Sequence, residues 1–126
     1  MSTLKVGTIQ NTSGGSGSTP EQILNGRIKA WIEFHGRDDT IRESFNISSI
    51  SDEGTSDYDI NFTTAFSNAN YVVFGSTVGG DGGYHSYICS DGSAKSAGTA
   101  PVRLRHAESH GNASETDHLG IAFIGN

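Results

Sequence analysis

From Arg27 onward, apolar residues recur at every second position in short runs that Gly, Asn, Asp and Ser interrupt, and this rhythm limits the fold more than any other feature. A period of two is the mark of a strand with one face turned to a core. In the first run Ile28, Ala30, Ile32 and Phe34 fall on one face, and Lys29, Trp31 and Glu33 on the other. The second, Thr40 to Ile50, carries Ile41, Phe45 and Ile47, and the third alternates Tyr58, Ile60 and Phe62. Tyr71 to Val78, Tyr84 to Ser90, Ala100 to Ala107 and His118 to Ile124 continue the series. Between the runs lie turn-forming stretches such as Gly36-Arg37-Asp38-Asp39, Ser51 to Ser56 and Ser67-Asn68-Ala69-Asn70. About seven to eight short strands with such spacing predict an all-β fold, either an antiparallel β-sandwich or a jelly-roll-like barrel. The final stretch Ile121-Ala122-Phe123-Ile124 is nearly all apolar and predicts a strand covered on both sides.

The opening of the chain follows a different rule. Residues 2–10 alternate loosely, with Leu4 and Val6 on one face, and predict an extended N-terminal arm. Asn11 to Ser18 is a Gly/Ser linker. The expected organisation is an arm and linker over residues 1–18, and a β-sandwich body over 19–126. At the junction, Thr19-Pro20-Glu21-Gln22 is a helix-start signal. Thr19 can cap, Pro20 suits the first helical position, and Gln22 stands three residues on. The helix is expected to stop near Asn25-Gly26.

Composition adds a constraint on the core. Hydrophobic residues make up 33% of 126 residues. A small domain buries a smaller share of its surface, so association with other chains is expected. Trp31 lies on the polar face of its strand, where a large aromatic calls for a covering neighbour. With Glu33 beside it and Ile124 near the end of the last run, it forms the candidate subunit interface. The formal net charge of −6 disfavours nucleic acid, whose binding depends on neutralising phosphates, and disfavours anionic membranes likewise. A single cysteine, Cys89, precludes an intrachain disulfide and reads as a packed strand residue. No apolar run is long enough for a transmembrane helix, and the N-terminus lacks an apolar signal core, so synthesis in a cytoplasm is expected.

Three segments carry a resemblance. Leu4-Lys5-Val6-Gly7-Thr8-Ile9-Gln10-Asn11-Thr12-Ser13-Gly14-Gly15 resembles the N-terminal segment of tail-fibre and virion structural proteins of marine phages, cyanophages included. Ser18 to Ile23, Gly26-Arg27, Lys29-Ala30-Trp31, Phe34 and Gly36 are similar to the next block of that group. Ile41 to Ile50, Asp57 to Phe66 and Asn68 to Tyr71 are similar to its repeating core pattern. The resemblance covers residues 3–75 and implies a homotrimeric virion component, as a tail-fibre tip or as a capsid decoration or head fibre. On that footing Leu4, Val6 and Ile9 would anchor the arm to another virion protein, by adding a strand to an exposed sheet edge.

Catalytic patterns are weak throughout. Gly92-Ser93-Ala94 is not a nucleophile elbow, and Gly79-Gly80-Asp81-Gly82-Gly83 lacks the Lys-Ser/Thr of a phosphate loop and reads as a hairpin turn. The acidic pairs Asp38-Asp39, Asp52-Glu53 and Asp57/Asp59 fall in turns or at strand starts, where carboxylates are solvated. Asp52 with Asp57 and Asp59 is the best place for calcium, without a calcium-loop pattern. His35, His85, His106, His110 and His118 show neither helical His-Glu-x-x-His spacing nor a partner Cys-x-x-Cys, and read as ordinary surface or interface residues. No cofactor, metal site or catalytic residue is expected. Tyr84, His85 and Tyr87 are the candidate ligand surface, for a carbohydrate-binding, host-recognising alternative.

Overall fold

The protein is described here from a computed structural model covering residues 2–10, 12–15, 17–78, 86–89, 95–106 and 116–126. Its elements run α1 (Pro20–Gly26), β1 (Ile28–Phe34), β2 (Ile41–Phe45), β3 (Ile47–Gly54), β4 (Asp57–Phe62), β5 (Val72–Val78), β6 (Ser86–Cys89), β7 (Thr99–His106) and β8 (His118–Ile124). The strands form two four-stranded sheets, in the orders β2-β1-β8-β5 and β3-β4-β7-β6. All pairings among them are antiparallel. No described strand hydrogen-bonds across from one sheet to the other, so the fold is the sandwich and not the closed barrel.

The helix begins where the sequence indicates. Thr19 Oγ1 accepts from the Gln22 amide at 3.2 Å, and the Gln22 side chain accepts from the Thr19 amide at 2.8 Å. This reciprocal box satisfies two backbone donors that a helix start leaves open.

Two expectations need correction. Thr40 to Ile50 is not one strand: it breaks at Asn46, which stands at φ 59° between β2 in one sheet and β3 in the other. A left-handed residue turns the chain sharply, and Asn tolerates it better than most residues. The Asn46 side chain then holds the corner. Its amide donates to the carbonyls of Lys29 at 3.2 Å and Thr64 at 3.0 Å, and its oxygen accepts from the Thr64 amide at 2.7 Å. Ile28 likewise does not share the inward face of Ala30, Ile32 and Phe34. The pairing of β1 with β8 shifts between Ile28 and Ala30, so Ile28 lies opposite Ile124 and is exposed. Such a bulge reverses the face that follows from strict alternation.

The core fills the space between the sheets with the inward rows Ala30-Ile32-Phe34, Tyr58-Ile60-Phe62, Ala100-Val102-Leu104 and Leu119-Ile121-Phe123. Aromatic rings concentrate at one end, where Phe62 meets Phe123 edge-on at 5.0 Å between centroids and Tyr71 at 5.6 Å. Edge-to-face pairs of this kind contribute roughly 0.5–1.5 kcal/mol each beyond their burial. At the other end Tyr58 reaches out of the core and donates to the Gly36 carbonyl at 2.5 Å, tying β4 to the turn after β1.

Burial pushes the Tyr71 phenol up from 10.0 to about 12, while its hydroxyl donates to the Thr99 carbonyl at 2.9 Å. The folded state favours the neutral phenol, so this contribution to stability is complete below pH 10 and is lost as pH rises through about 12. A phenolate absorbance titration is therefore expected to show a tyrosine ionising near pH 12 that Tyr71→Phe removes. A titration in which Tyr71→Phe leaves every step unchanged would contradict this burial.

Candidate functional site

The two outer faces of the sandwich differ in chemistry. On the β3-β4-β7-β6 sheet the described outward residues of β3, β4 and β7 are mostly polar, and several bond to one another. Arg103 Nε donates to Asp57 at 2.8 Å, and Asn61 reaches Ser49 and Ser51 at 3.2 Å and accepts from Thr99 at 2.9 Å. Such a face is finished in water. It also disperses the acidic residues considered for calcium. Asp57 is engaged by Arg103, and Asp52 accepts from the Gly54 amide at 2.9 Å in a strand that runs on through Gly54.

The outer face of the β2-β1-β8-β5 sheet carries two rows of apolar side chains. Register places Phe45, Trp31, Ala122 and Phe74 in one row across its four strands. Residues directly opposite in antiparallel strands project to the same side, so the row is continuous. A second row, nearer the strand ends, brings Ile28, Ile124 and Val72 together. Phe45 is 55% exposed, Phe74 46% and Val72 61%, with no described segment lying over them. Large apolar side chains gathered in this way on one surface mark an interaction site.

A groove of about 660 Å³ runs through this face. Trp31 and Phe74 form its walls, and Gly120 and Ala122 form its floor because Gly120 has no side chain and Ala122 only a methyl. One end is polar. Glu33 Oε1 lies 3.5 Å from His118 Nδ1 and 3.9 Å from Arg42, and Arg42 also contacts His118, 3.1 Å from Nε2. The carboxylate is thus held among two basic side chains of the same sheet, with Ser76 across the floor. The last strand is consequently not covered on both sides: Leu119, Ile121 and Phe123 are buried, and Gly120, Ala122 and Ile124 line the outer face.

The candidate interface residues Trp31 and Glu33 thus stand side by side in the groove, and Ile124 lies on the same face in the second row. Sequence reasoning missed Phe45, Phe74, Val72 and Gly120. Phe45 carries a signal in hindsight, since it is directly opposite Trp31 once β1 and β2 form a hairpin. Tyr84 and His85 of the candidate ligand surface lie outside the described residues, as do His110, Gly79 to Gly83 and the side chains of Tyr87, His106 and Cys89. His35 and His118 sit in separate clusters, His35 Nδ1 being 3.0 Å from Asp38. Among the described residues no group of three or more His, Cys, Asp or Glu is placed to hold a metal ion, and no helix is long and apolar enough to cross a membrane.

The arm residues Leu4, Val6 and Ile9 are exposed, Leu4 at 85%. Ile9 and Ser18 exchange two backbone hydrogen bonds of 2.9 Å, which bring the ends of the linker together, and Ser2 to Thr8 before them are exposed. Comparison of the chain with protein-family models, with curated proteins and with solved structures gives no match.

Proposed function

We propose that this chain is a non-enzymatic structural module of a phage virion, that it self-associates as a homotrimer through the outer face of the β2-β1-β8-β5 sheet, and that its N-terminal arm attaches it to the particle. The observation that carries the reading is the contrast between the two outer faces. The described part of one is mostly polar and internally hydrogen-bonded, while the other exposes Phe45, Phe74, Val72 and Ile28 around a groove. Leaving that face in water is unfavourable by about 25 cal/mol for each Å² of apolar surface, and a second copy presents the same need. The exposed arm supports the second half of the reading. An extended segment with apolar Leu4 and Val6 can add to an open sheet edge of another virion protein. The location is a tail-fibre tip or a capsid decoration or head fibre.

Removal of residues 1–15 tests both halves. The truncated protein is expected to keep its melting temperature and its oligomeric mass, and to lose binding to the virions that carry the full chain. Undiminished particle binding would rule out the arm, and a monomeric full chain at high concentration would rule out the self-association.

A second reading, a carbohydrate-binding module, draws on the aromatic walls Trp31 and Phe74 and the polar end at Glu33 and Ser76. Binding of a host-surface glycan on an array, lost in Trp31→Ala, would favour it.

A further inference from the structure

We infer that the end of the sandwich from which the N-terminal arm departs is a basic docking face, and that it seats on an acidic surface of the protein that receives the arm. This rests on the attachment proposed above and names the chemistry of the partner.

The charge of the chain is divided unevenly along the sequence. Residues 1–32 hold Lys5, Arg27 and Lys29 against Glu21 alone, a surplus of two positive charges. The remaining residues hold five Lys and Arg against thirteen Asp and Glu. A basic opening on a chain of net charge −6 is an asymmetry of the kind that marks a charged contact.

Folding turns this division of the sequence into a division in space. Strands β1 and β5 start, and β8 finishes, at one end of the sandwich, where Ile28 and Val72 both lie opposite Ile124. Helix α1 adjoins that end, because Asn25 lines a hollow of about 370 Å³ with Asn68, Asn70, Val72 and Ile124. Lys29 Nζ stands 4.8 Å over the Phe66 ring and Lys95 Nζ 4.8 Å over the Tyr71 ring, and the two rings are 4.5 Å apart. Lys95, remote in sequence, thus joins the basic group of the opening. The described segments 61–72, 95–100 and 121–126, which build this end, contain no Asp or Glu. At the opposite end, where Tyr58 meets Gly36, the turns and strand ends carry Asp38, Asp39, Asp52, Glu53 and Asp117.

The two lysines are fixed charges. Both are half-buried with the ammonium held over a ring face, and Lys95 also donates to the Tyr71 carbonyl at 2.7 Å. The ring quadrupole attracts an ammonium, so each charge is in place before a partner arrives and little side-chain freedom is lost on contact. Neither lysine makes an ion pair among the described residues, whereas Arg37, Arg42 and Arg103 toward the other end stand against Asp117, Glu33 and Asp57. An acidic surface supplies the carboxylates that the lysines lack. The same surface repels the acidic end, so the chain is steered to land with its arm foremost.

The test is binding of the purified full chain to virions assembled without it, measured across salt concentration. Wild type is expected to bind about ten-fold more weakly in about 300 mM than in about 50 mM sodium chloride. The double variant Lys29→Gln, Lys95→Gln is expected to bind about ten-fold more weakly at low salt and to lose most of that salt dependence. Circular dichroism and the melting temperature check its fold, and Lys29→Met with Lys95→Met stands in should it misfold. Lys29→Arg with Lys95→Arg keeps both charges and is expected to bind as wild type, as is Glu53→Gln at the far end. A folded, uncharged double variant that binds as wild type would overturn the basic docking face and leave attachment by the arm standing. Wild type that binds no virions would overturn both. Binding to phosphatidylglycerol vesicles in place of virions, lost in the uncharged variant, would overturn the inference by giving the face to a lipid surface.

Discussion

Gly75→Ala is expected to lower the unfolding free energy by about 3 kcal/mol, whereas Gly120→Ala is expected to leave it unchanged or raise it by about 0.5 kcal/mol. The two glycines are neighbours across the β5–β8 ladder, and composition alone treats them alike. At Gly75 the added methyl would meet the Gly120 carbonyl oxygen at 2.3 Å, Ile88 Cδ1 at 2.5 Å and the Ile121 Cα at 3.2 Å. The isoleucine tip can move aside, but the oxygen and the Cα belong to the backbone of β8. Relief requires separating β5 from β8, which weakens a ladder running from Val72–Ile124 to Val78–His118. At Gly120 the methyl enters open space beside Ser76 and restricts the unfolded chain more than the folded one. Urea unfolding of both variants measures the difference. Equal destabilisation by the two would show that the groove floor is a structural requirement.

Asn46→Ala is expected to cost about 4–5 kcal/mol, through two causes that further variants separate. The first is the loss of three side-chain hydrogen bonds, to the Lys29 carbonyl and to both backbone groups of Thr64. A net value near 1 kcal/mol for each is typical, and more where a backbone group is left unpaired. The second is the left-handed backbone at φ 59°, which alanine adopts at a cost of roughly 1–2 kcal/mol. Asn46→Gly keeps the backbone free to turn and isolates the hydrogen bonds. Asn46→Asp keeps the acceptor for the Thr64 amide and loses both donors. The expected order of stability is wild type, then Asp or Gly, then Ala, in thermal melts of each variant. An Asn46→Ala protein as stable as wild type would mean that the corner between the sheets is held by other contacts.

The strands with a plain contrast between faces were the most legible. Tyr58-Ile60-Phe62 alternates with Asp57, Asp59 and Asn61, and β4 buries the first set as its pattern indicates. The capping box at Thr19 and Gln22 was equally readable, because every group that forms it lies within one turn. The failures have physical reasons too. Asn46 looks in sequence like any polar residue on the solvent side of a strand, and only its backbone torsion reveals a corner. Ile28 keeps the inward phase of its run, yet a one-residue slip against β8 turns it outward. In β5, Val72, Val73 and Phe74 are all apolar, so no contrast in the sequence says that Val72 and Phe74 face out.

Trp31 shows how far the candidate site itself could be read. Its place on the outward face follows from its neighbours Ala30 and Ile32 alone, and so does its need for a cover. The groove beside it does not, since the walls and floor come from strands that only the pairing of β1 with β8 and of β8 with β5 brings together.

What the chain carries in its order of residues is therefore the period-two faces, the turn positions and the helix start. Each of these rests on torsional preference or burial within a few consecutive residues. Which sheet a strand joins, where register slips, and which outer face stays apolar were decided by pairings between residues far apart in sequence, from Trp31 with Ala122 to Phe74 with Ala122. Those pairings depend on how all eight strands share a single core, and no local stretch encodes that sum.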